Sequence, residues 1–396
     1  MRSKDIQVNG FLASGIACGI KKTGKKDLAL IVSETPAYVA GVFTKSTVKA
    51  STVVVDMKRE RSGRSRGVVV NSGNANACTG ERGMADTLRV IAATEKALAF
   101  NEGDLMMSST GVIGVPLAVG KIEEALPRLA WNLKSNGWRD ASQAIMTTDA
   151  FHKITCVKKN VGRTQVTIAA IAKGAGMICP NMATMLCFAA TDANIKAKAL
   201  KAALKEAVGK SFNRISVDND TSTNDTVLVF ANGAAKGPEI KTGTAAFKSF
   251  TAALSEALLR LAHLIVRDGE GATRFVELTV KGASNDKQAE TAARRLAGSL
   301  LVKTALFGGD PNWGRIMAAI GTTNVKFDQS DVDILLGGVK VFSKGVDTGE
   351  EKRAAKAMKR NEVSVVVDLK RGKGAFTLWT TDLNYDYVRI NSSYRT

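Results

Sequence analysis

The chain has 396 residues, 45% of them hydrophobic, enough for two domains or one large α/β core. Lys and Arg number 56 against 37 Asp and Glu, a net charge of +19, but aromatics are only 6% and the basic residues are spread along the chain. That argues against the dense basic and aromatic patch of a nucleic-acid reader, and for a solvated surface compatible with anionic small substrates. The N-terminal residues carry Asp5, Gln7 and Asn9 before any apolar stretch, so no secretory leader is expected, and no run of about twenty apolar residues predicts a membrane span. Cys18, Cys78, Cys156, Cys179 and Cys187 lack CxxC spacing and read as reduced, buried thiols, which makes the cytoplasm the expected compartment.

In chain order, strands are expected at Leu28–Val32, Tyr38–Thr44, Thr52–Asp56 and Val68–Asn71. An amphipathic helix follows through "ERGMADTLRVIAATEKALAF", where Met84, Leu88, Ile91 and Leu98 fall at helical spacing. A second helix runs through "KIEEALPRLAWNLK", kinked or ended early by Pro127. "TQVTIAAIAKGAG" and "TMLCFAATDA" read as two central strands, then "KALKAALKEAVGK" as a helix and "RISVD" and "TVLVFAN" as strands. The long apolar-faced helix "TAAFKSFTAALSEALLRLAHLIV", strand "FVELTVKG" and helix "DKQAETAARRLAGSLLVKTAL" come next, and strands "VDILLGG", "EVSVVVDLK" and "AFTLWTTDL" close the series. Strands and helices arrive in groups rather than in strict alternation, which favours a layered α+β sandwich over a doubly wound parallel sheet.

The chemistry is bounded by what is missing. Only His152 and His263 are available as imidazoles, and His263 sits on an apolar-patterned helix as a core or boundary residue. HExxH and CxxC metal motifs are absent, "GIKKTGKK" from Gly19 lacks the hydroxyl that a phosphate loop needs, and "GRSRG" at 63–67 leads into a strand rather than from strand into helix. "DGEGAT" at 268–273 reads as a turn after a helix. What remains is a set of small polar clusters: "NSGNANACTG" from Asn71, "SSTGVIG" from Ser108, "MTTDA" from Met146, "SVDNDTSTND" from Ser216 and "GGDPNWGRI" from Gly308. Each alone is a turn bonding its own backbone, but five together point to a pocket lined by hydroxyls and amides.

"AKGAGMICPNMATML", residues 172–186, places Thr184 between a constrained turn and an apolar run. A threonine hydroxyl needs a base, and where histidine is scarce a threonine at a chain N-terminus uses its own α-amine, which titrates near roughly 7.7 to 8.0. Gly174, Gly176, Pro180 and Asn181 allow a turn that presents the Ala183 carbonyl to Thr184 Oγ for an N-to-O acyl shift. The residues alone leave a second reading open, a loop-to-strand turn in which Thr184 is inert.

"KGAGMICPNMATML" followed by "TDA" resembles the self-cleavage segment of the ornithine acetyltransferase family, the glutamate N-acetyltransferases of cyclic arginine biosynthesis. "VNSGNANACTG", "SSTGVIG", "MTTD", "FNRISVDNDTSTNDTV", "DGEGATRF", "VKTALFGGDPNWGRI" and "YDYVRINSSYRT" are similar to that family's blocks, in the same order and over nearly the whole chain. The resemblance implies cleavage between Ala183 and Thr184, giving an α chain of residues 1–183 and a β chain of residues 184–396 that assemble as two of each. It implies Thr184 as nucleophile, Thr110 and Gly111 as oxyanion hole, and Thr147, Lys173, Thr184, Glu270, Asn391 and Thr396 as substrate-binding positions, with Thr148 adjacent to Thr147. The implied fold is the layered α/β sandwich shared with self-processing aminopeptidases, with a smaller C-terminal α/β domain. The implied reaction is ping-pong acetyl transfer from N-acetyl-ornithine to glutamate, without a metal or resident cofactor; some members of the family also take acetyl-CoA as donor. Ala150, where a hydroxyl is common, and the +19 charge depart from the pattern. The rivals are an N-terminal-nucleophile amidohydrolase or aminopeptidase, which hands the acyl group to water, and a basic nucleic-acid-binding protein on an inactive scaffold.

Overall fold

The computed structural model describes residues 6–179 and 185–393. The first part of the chain forms β1 (Phe11–Ile16), β2 (Leu28–Ser33), β3 (Tyr38–Phe43), α1 (Ser51–Arg59), β4 (Gly67–Asn74), α2 (Gly80–Ala97), β5 (Leu105–Val112), α3 (Val119–Trp131), α4 (Trp138–Ala144), β6 (Lys153–Val161) and β7 (Thr164–Lys173). There follow β8 (Leu186–Thr191), α5 (Ala197–Gly209), β9 (Thr226–Ala231) and α6 (Ala245–Arg267). The last part comprises β10 (Phe275–Ala283), α7 (Asp286–Ala297), α8 (Leu300–Gly308), α9 (Trp313–Gly321), β11 (Asp333–Leu336), β12 (Val339–Ser343), β13 (Val346–Asp347), α10 (Glu351–Met358), β14 (Glu362–Asp368), β15 (Gly374–Thr381) and α11 (Tyr385–Ser393).

Side chains on a strand alternate between faces, so a strand buried on both faces divides its residues between two layers. In β2, Leu28, Leu30 and Val32 pack on α2 and α3, whereas Ala29 and Ile31 meet the five-stranded sheet. In β9, Leu228 and Phe230 enter the space between the sheets while Val227 and Val229 pack on α5 and α6. The outcome is four layers: α2 and α3, the sheet β1-β2-β4-β5, the sheet β3-β9-β8-β7-β6, then α5 and α6. A separate core joins the six-stranded sheet β13-β12-β11-β14-β10-β15 to α7, α8, α9 and α10, and forms the smaller C-terminal unit. The layered α+β architecture expected from the grouped elements is therefore the one observed.

Several local expectations are corrected. Thr52–Asp56 is not a strand but lies within α1, where Thr52, Val53, Val55 and Asp56 are buried and Val54 is exposed, a helical rather than an alternating pattern. "RISVD" is not a strand: Arg214 ends a 3₁₀ turn, Phe212–Arg214, Ile215 is extended and makes an isolated bridge to Trp379, and the chain then bends. The helix expected over 286–306 is two helices, separated at Gly298 and Ser299. Pro127 neither ends α3 nor falls outside it. Of the thiols, Cys156 and Cys187 are buried, Cys18 and Cys179 are partly so, and Cys78 is exposed. Among the described residues α6 alone is long and apolar enough to cross a membrane, and its buried residues, Phe250 to Val266, pack into the core beside α5.

Candidate active site at the shared strand ends

The C-terminal ends of β5 and β7, one from each stacked sheet, meet at the rim of the sandwich. Thr110 and Gly111 lie just before the end of β5, Lys173 ends β7, and the antiparallel pairing of β7 with β8 sets Lys173 opposite Leu186. The chain thus leaves β7 at Lys173 and returns at Met185 beside its point of departure. Pro180, Asn181, Met182, Ala183 and Thr184, with Thr396 at the C-terminus, lie outside the described residues.

The Lys173 ammonium crosses between the sheets and donates to Thr110 Oγ1 at 3.1 Å. A lone pair of Thr110 is thereby occupied, which leaves the hydroxyl proton free to donate into the cleft. Gly111 has φ +133°, and a Cβ there would come within 2.3 Å of the Gly73 backbone, so only glycine fits where the β4–β5 pairing slips at Asn74. Asn224 Nδ2 ties these elements together, donating to Ala75 O and Ser109 O at 2.7 Å each.

Glu270 closes the other side. Its N–H donates to Ala175 O at 2.9 Å, and its Oε2 accepts Asn391 Nδ2 from α11 at 2.8 Å. Gly176 leaves room for this carboxylate: a Cβ there would lie 2.4 Å from Glu270 Oε2. Thr110, Gly111, Thr147, Thr148, Lys173, Gly176, Ser222, Thr223, Asn224, Glu270 and Asn391 line one cleft of about 540 Å³. The six expected positions that are described all converge there. Ser222, Thr223 and Asn224 also line the cleft; their block stands out in the sequence as a polar cluster, without a signal for which side chains face inward.

Buried charges position the walls. Lys153 is fully enclosed and pairs with Asp149 Oδ1 at 2.7 Å and with Asp268 at the end of α6. Asp149 also accepts Gly174 N–H at 2.8 Å and Thr147 N–H at 2.9 Å, linking both cleft loops to one carboxylate. Burial would raise the Asp149 pKa, but Lys153, Lys173 and these bonds hold it down to about 2. Burial pulls the Lys173 ammonium below its usual range, against the opposing fields of Asp149, Asp225 and Glu270. The carboxyl of Asp225 is pushed well up by burial despite the Met185 N–H and the Lys173 charge. Ala150 engages Asp268 through its backbone N–H at 3.1 and 3.2 Å, so that bond needs no hydroxyl at the position.

Neither histidine lines this cleft. His263 packs edge-on against Trp379 and Phe275, the boundary role expected of it, and His152 faces a neighbouring cleft. Ser65 of "GRSRG" is buried and donates to Gly67 O and Asp104 O as part of a turn. "DGEGAT" is the turn after a helix that was expected, directly following α6, and it also supplies Asp268 and Glu270 to the cleft walls. Among the described residues no group of three or more His, Cys, Asp or Glu converges to hold a metal.

Stacked sheets whose adjoining strand ends gather a Thr–Gly pair, a buried ammonium and a carboxylate place a polar cleft at the rim of a layered α/β sandwich. The ArgJ family model matches residues 12–396. The Arginine biosynthesis bifunctional protein ArgJ of Geobacter sulfurreducens is 47% identical over 393 residues, 99% of this chain and 100% of its own. That of Symbiobacterium thermophilum is 47% identical over 390 residues, 98% of this chain and 97% of its own. A crystal structure of the Arginine biosynthesis bifunctional protein argJ of Bacillus halodurans is 43% identical and covers 51% of this chain and 96% of its own, at a TM-score of 0.49. The chain belongs to the ArgJ family.

Proposed function

We propose that the chain cleaves itself between Ala183 and Thr184, and that Thr184 then carries an acetyl group from N-acetyl-ornithine to glutamate in cyclic arginine biosynthesis. The observation that carries this reading is the Thr110–Lys173–Glu270 cleft at the point where the chain re-enters the sandwich at Met185. Thr184 Oγ attacks the Ala183 carbonyl, the acyl group passes from nitrogen to oxygen, and water hydrolyses the ester to release a Thr184 α-amine. In each transfer the α-amine takes the hydroxyl proton as Oγ adds to the acetyl carbonyl. The Thr110 hydroxyl and Gly111 N–H receive the oxyanion, ornithine departs with the proton on its amine, and the glutamate amine then attacks the acetyl-threonine ester. Lys173 supplies a partner for a substrate carboxylate and Glu270 one for an ammonium.

A second donor, acetyl-CoA, is favoured by a cleft of about 2160 Å³ that shares Thr147 with the first and is lined by Lys21, Lys22, Lys25, Lys26 and Lys121. These cations suit the phosphates of that donor; the chemistry on Thr184 requires no resident cofactor or metal. The two fragments remain associated, as two α and two β chains.

Intact mass and N-terminal sequencing of the purified protein, beside a Thr184→Ala control, test the reading. Two fragments, the second beginning at Thr184 and both absent from the control, are expected. A whole chain in both samples overturns self-cleavage. Acetyl release to water with no acetyl-glutamate formed points instead to a hydrolase.

A further inference from the structure

We infer that the loop of residues 216–225 is a two-point clamp that holds both flanks of the self-cleavage segment, Asp218 gripping the upstream side and Asp225 the downstream side. This rests on the self-cleavage reading above and names the groups that position its reacting bond.

Asp218 Oδ2 accepts the N–H of Met177 at 2.6 Å, and its Oδ1 accepts that of Ile178 at 2.9 Å. The backbone reinforces the grip, since Val217 N–H donates to Ile178 O at 2.7 Å and Ser216 Oγ to the same oxygen at 3.3 Å. Seven residues on, Asp225 Oδ1 accepts the N–H of Met185 at 3.0 Å, and Thr226 N–H donates to Met185 O at 3.1 Å. One short loop therefore fixes the last turn before the segment and the first residue after it.

Met177 has φ +58°, a left-handed conformation that a side chain bearing a Cβ adopts only when its surroundings enforce it. The enforcing group is Asp218, bonded to that same N–H. The loop is itself fixed to the strands that carry the oxyanion hole. Asn224 bridges Ala75 O and Ser109 O, Thr44 Oγ1 donates to Ser222 O at 2.8 Å, and Ala50 N–H donates to Thr223 O at 2.9 Å. Both flanks are thus referred to the frame that holds Thr110 and Gly111. Proximity and orientation of this kind decide whether a hydroxyl meets a neighbouring carbonyl within the productive range. Asp218 and Asp225 are positioning residues, acting through the backbone of Met177, Ile178 and Met185.

The test follows conversion of freshly folded precursor to two fragments by intact mass over time. Asp218→Asn, which turns one acceptor into a donor facing an N–H, and Asp225→Ala are each expected to slow cleavage at least about tenfold at unchanged melting temperature. Asp220→Asn, an exposed change in the same loop that grips neither flank, is expected to cleave at the wild-type rate. Wild-type cleavage rates in both clamp variants overturn the inference, as does slowing that merely tracks a loss of melting temperature. Where a variant melts early, hydrogen exchange on the uncleavable Thr184→Ala chain decides: protected Met177, Ile178 and Met185 amides support the clamp, and unprotected ones overturn it. A wild-type chain that never cleaves overturns the self-cleavage reading and the clamp together, whereas a cleaving wild type beside unaffected variants overturns the clamp alone.

Discussion

Thr110 stands between two demands, accepting from Lys173 and, in the proposed mechanism, offering its own proton to a developing oxyanion. Thr110→Val keeps the shape and removes the donor. It is expected to lower kcat for acetyl transfer by about 10²–10³-fold with a much smaller change in KM, read by steady-state kinetics with both substrates. Asp149 carries a different signature. Its pKa of about 2 lies below the unfolded value near ~3.9, so its stabilisation is fully present above pH ~4 and is lost as pH falls toward 2. The melting temperature of the wild type is expected to fall across that window more steeply than that of Asp149→Asn. The sequence made Thr110, Gly111, Thr147, Lys173, Glu270 and Asn391 legible only through blocks resembling a family, since no spacing rule links positions so far apart. Ser222, Thr223 and Asn224 stayed hidden in a polar run because the two long-range bonds of Asn224 help to set which way that loop faces.

At the scale of elements, the Lys153 ion triad joins the start of β6 to the end of α6 and, through Asp149, to the Thr147 and Gly174 loops. Lys153→Met would strand two buried carboxylates. A loss of about 3–5 kcal/mol is expected, read by chemical denaturation, together with weakened substrate binding. The same scale shows why some elements were readable and others were not. β2, β8, β9, the Val68–Val70 run of β4 and the Ile168–Ala172 run of β7 are apolar on both faces and announce themselves. β6 carries Lys158 and Lys159 on an edge strand, and β1 is broken by Gly15, so neither has the pattern of a buried strand. Val53 to Val55 favour a strand by propensity, yet α1 forms because the site buries Thr52, Val55 and Asp56 on one side, with Asp56 accepting Met107 N–H at 3.0 Å.

For the whole molecule, the order β3-β9-β8-β7-β6 is the decisive feature. β9 pairs with β3 on one side and β8 on the other, and β8 pairs with β7, so strands from residues 1–183 enclose strands from residues 184–396 within a single sheet. After cleavage the fragments are expected to co-elute in size-exclusion chromatography and to separate only in denaturant. Neither half can complete this sheet alone, so under the proposed self-cleavage the unbroken chain is the folding unit and scission follows folding. On the proposed mechanism the nucleophile is then created only in copies whose strands have interleaved. Each molecule would by that mechanism certify its own assembly before it could turn over substrate, leaving misfolded copies catalytically silent.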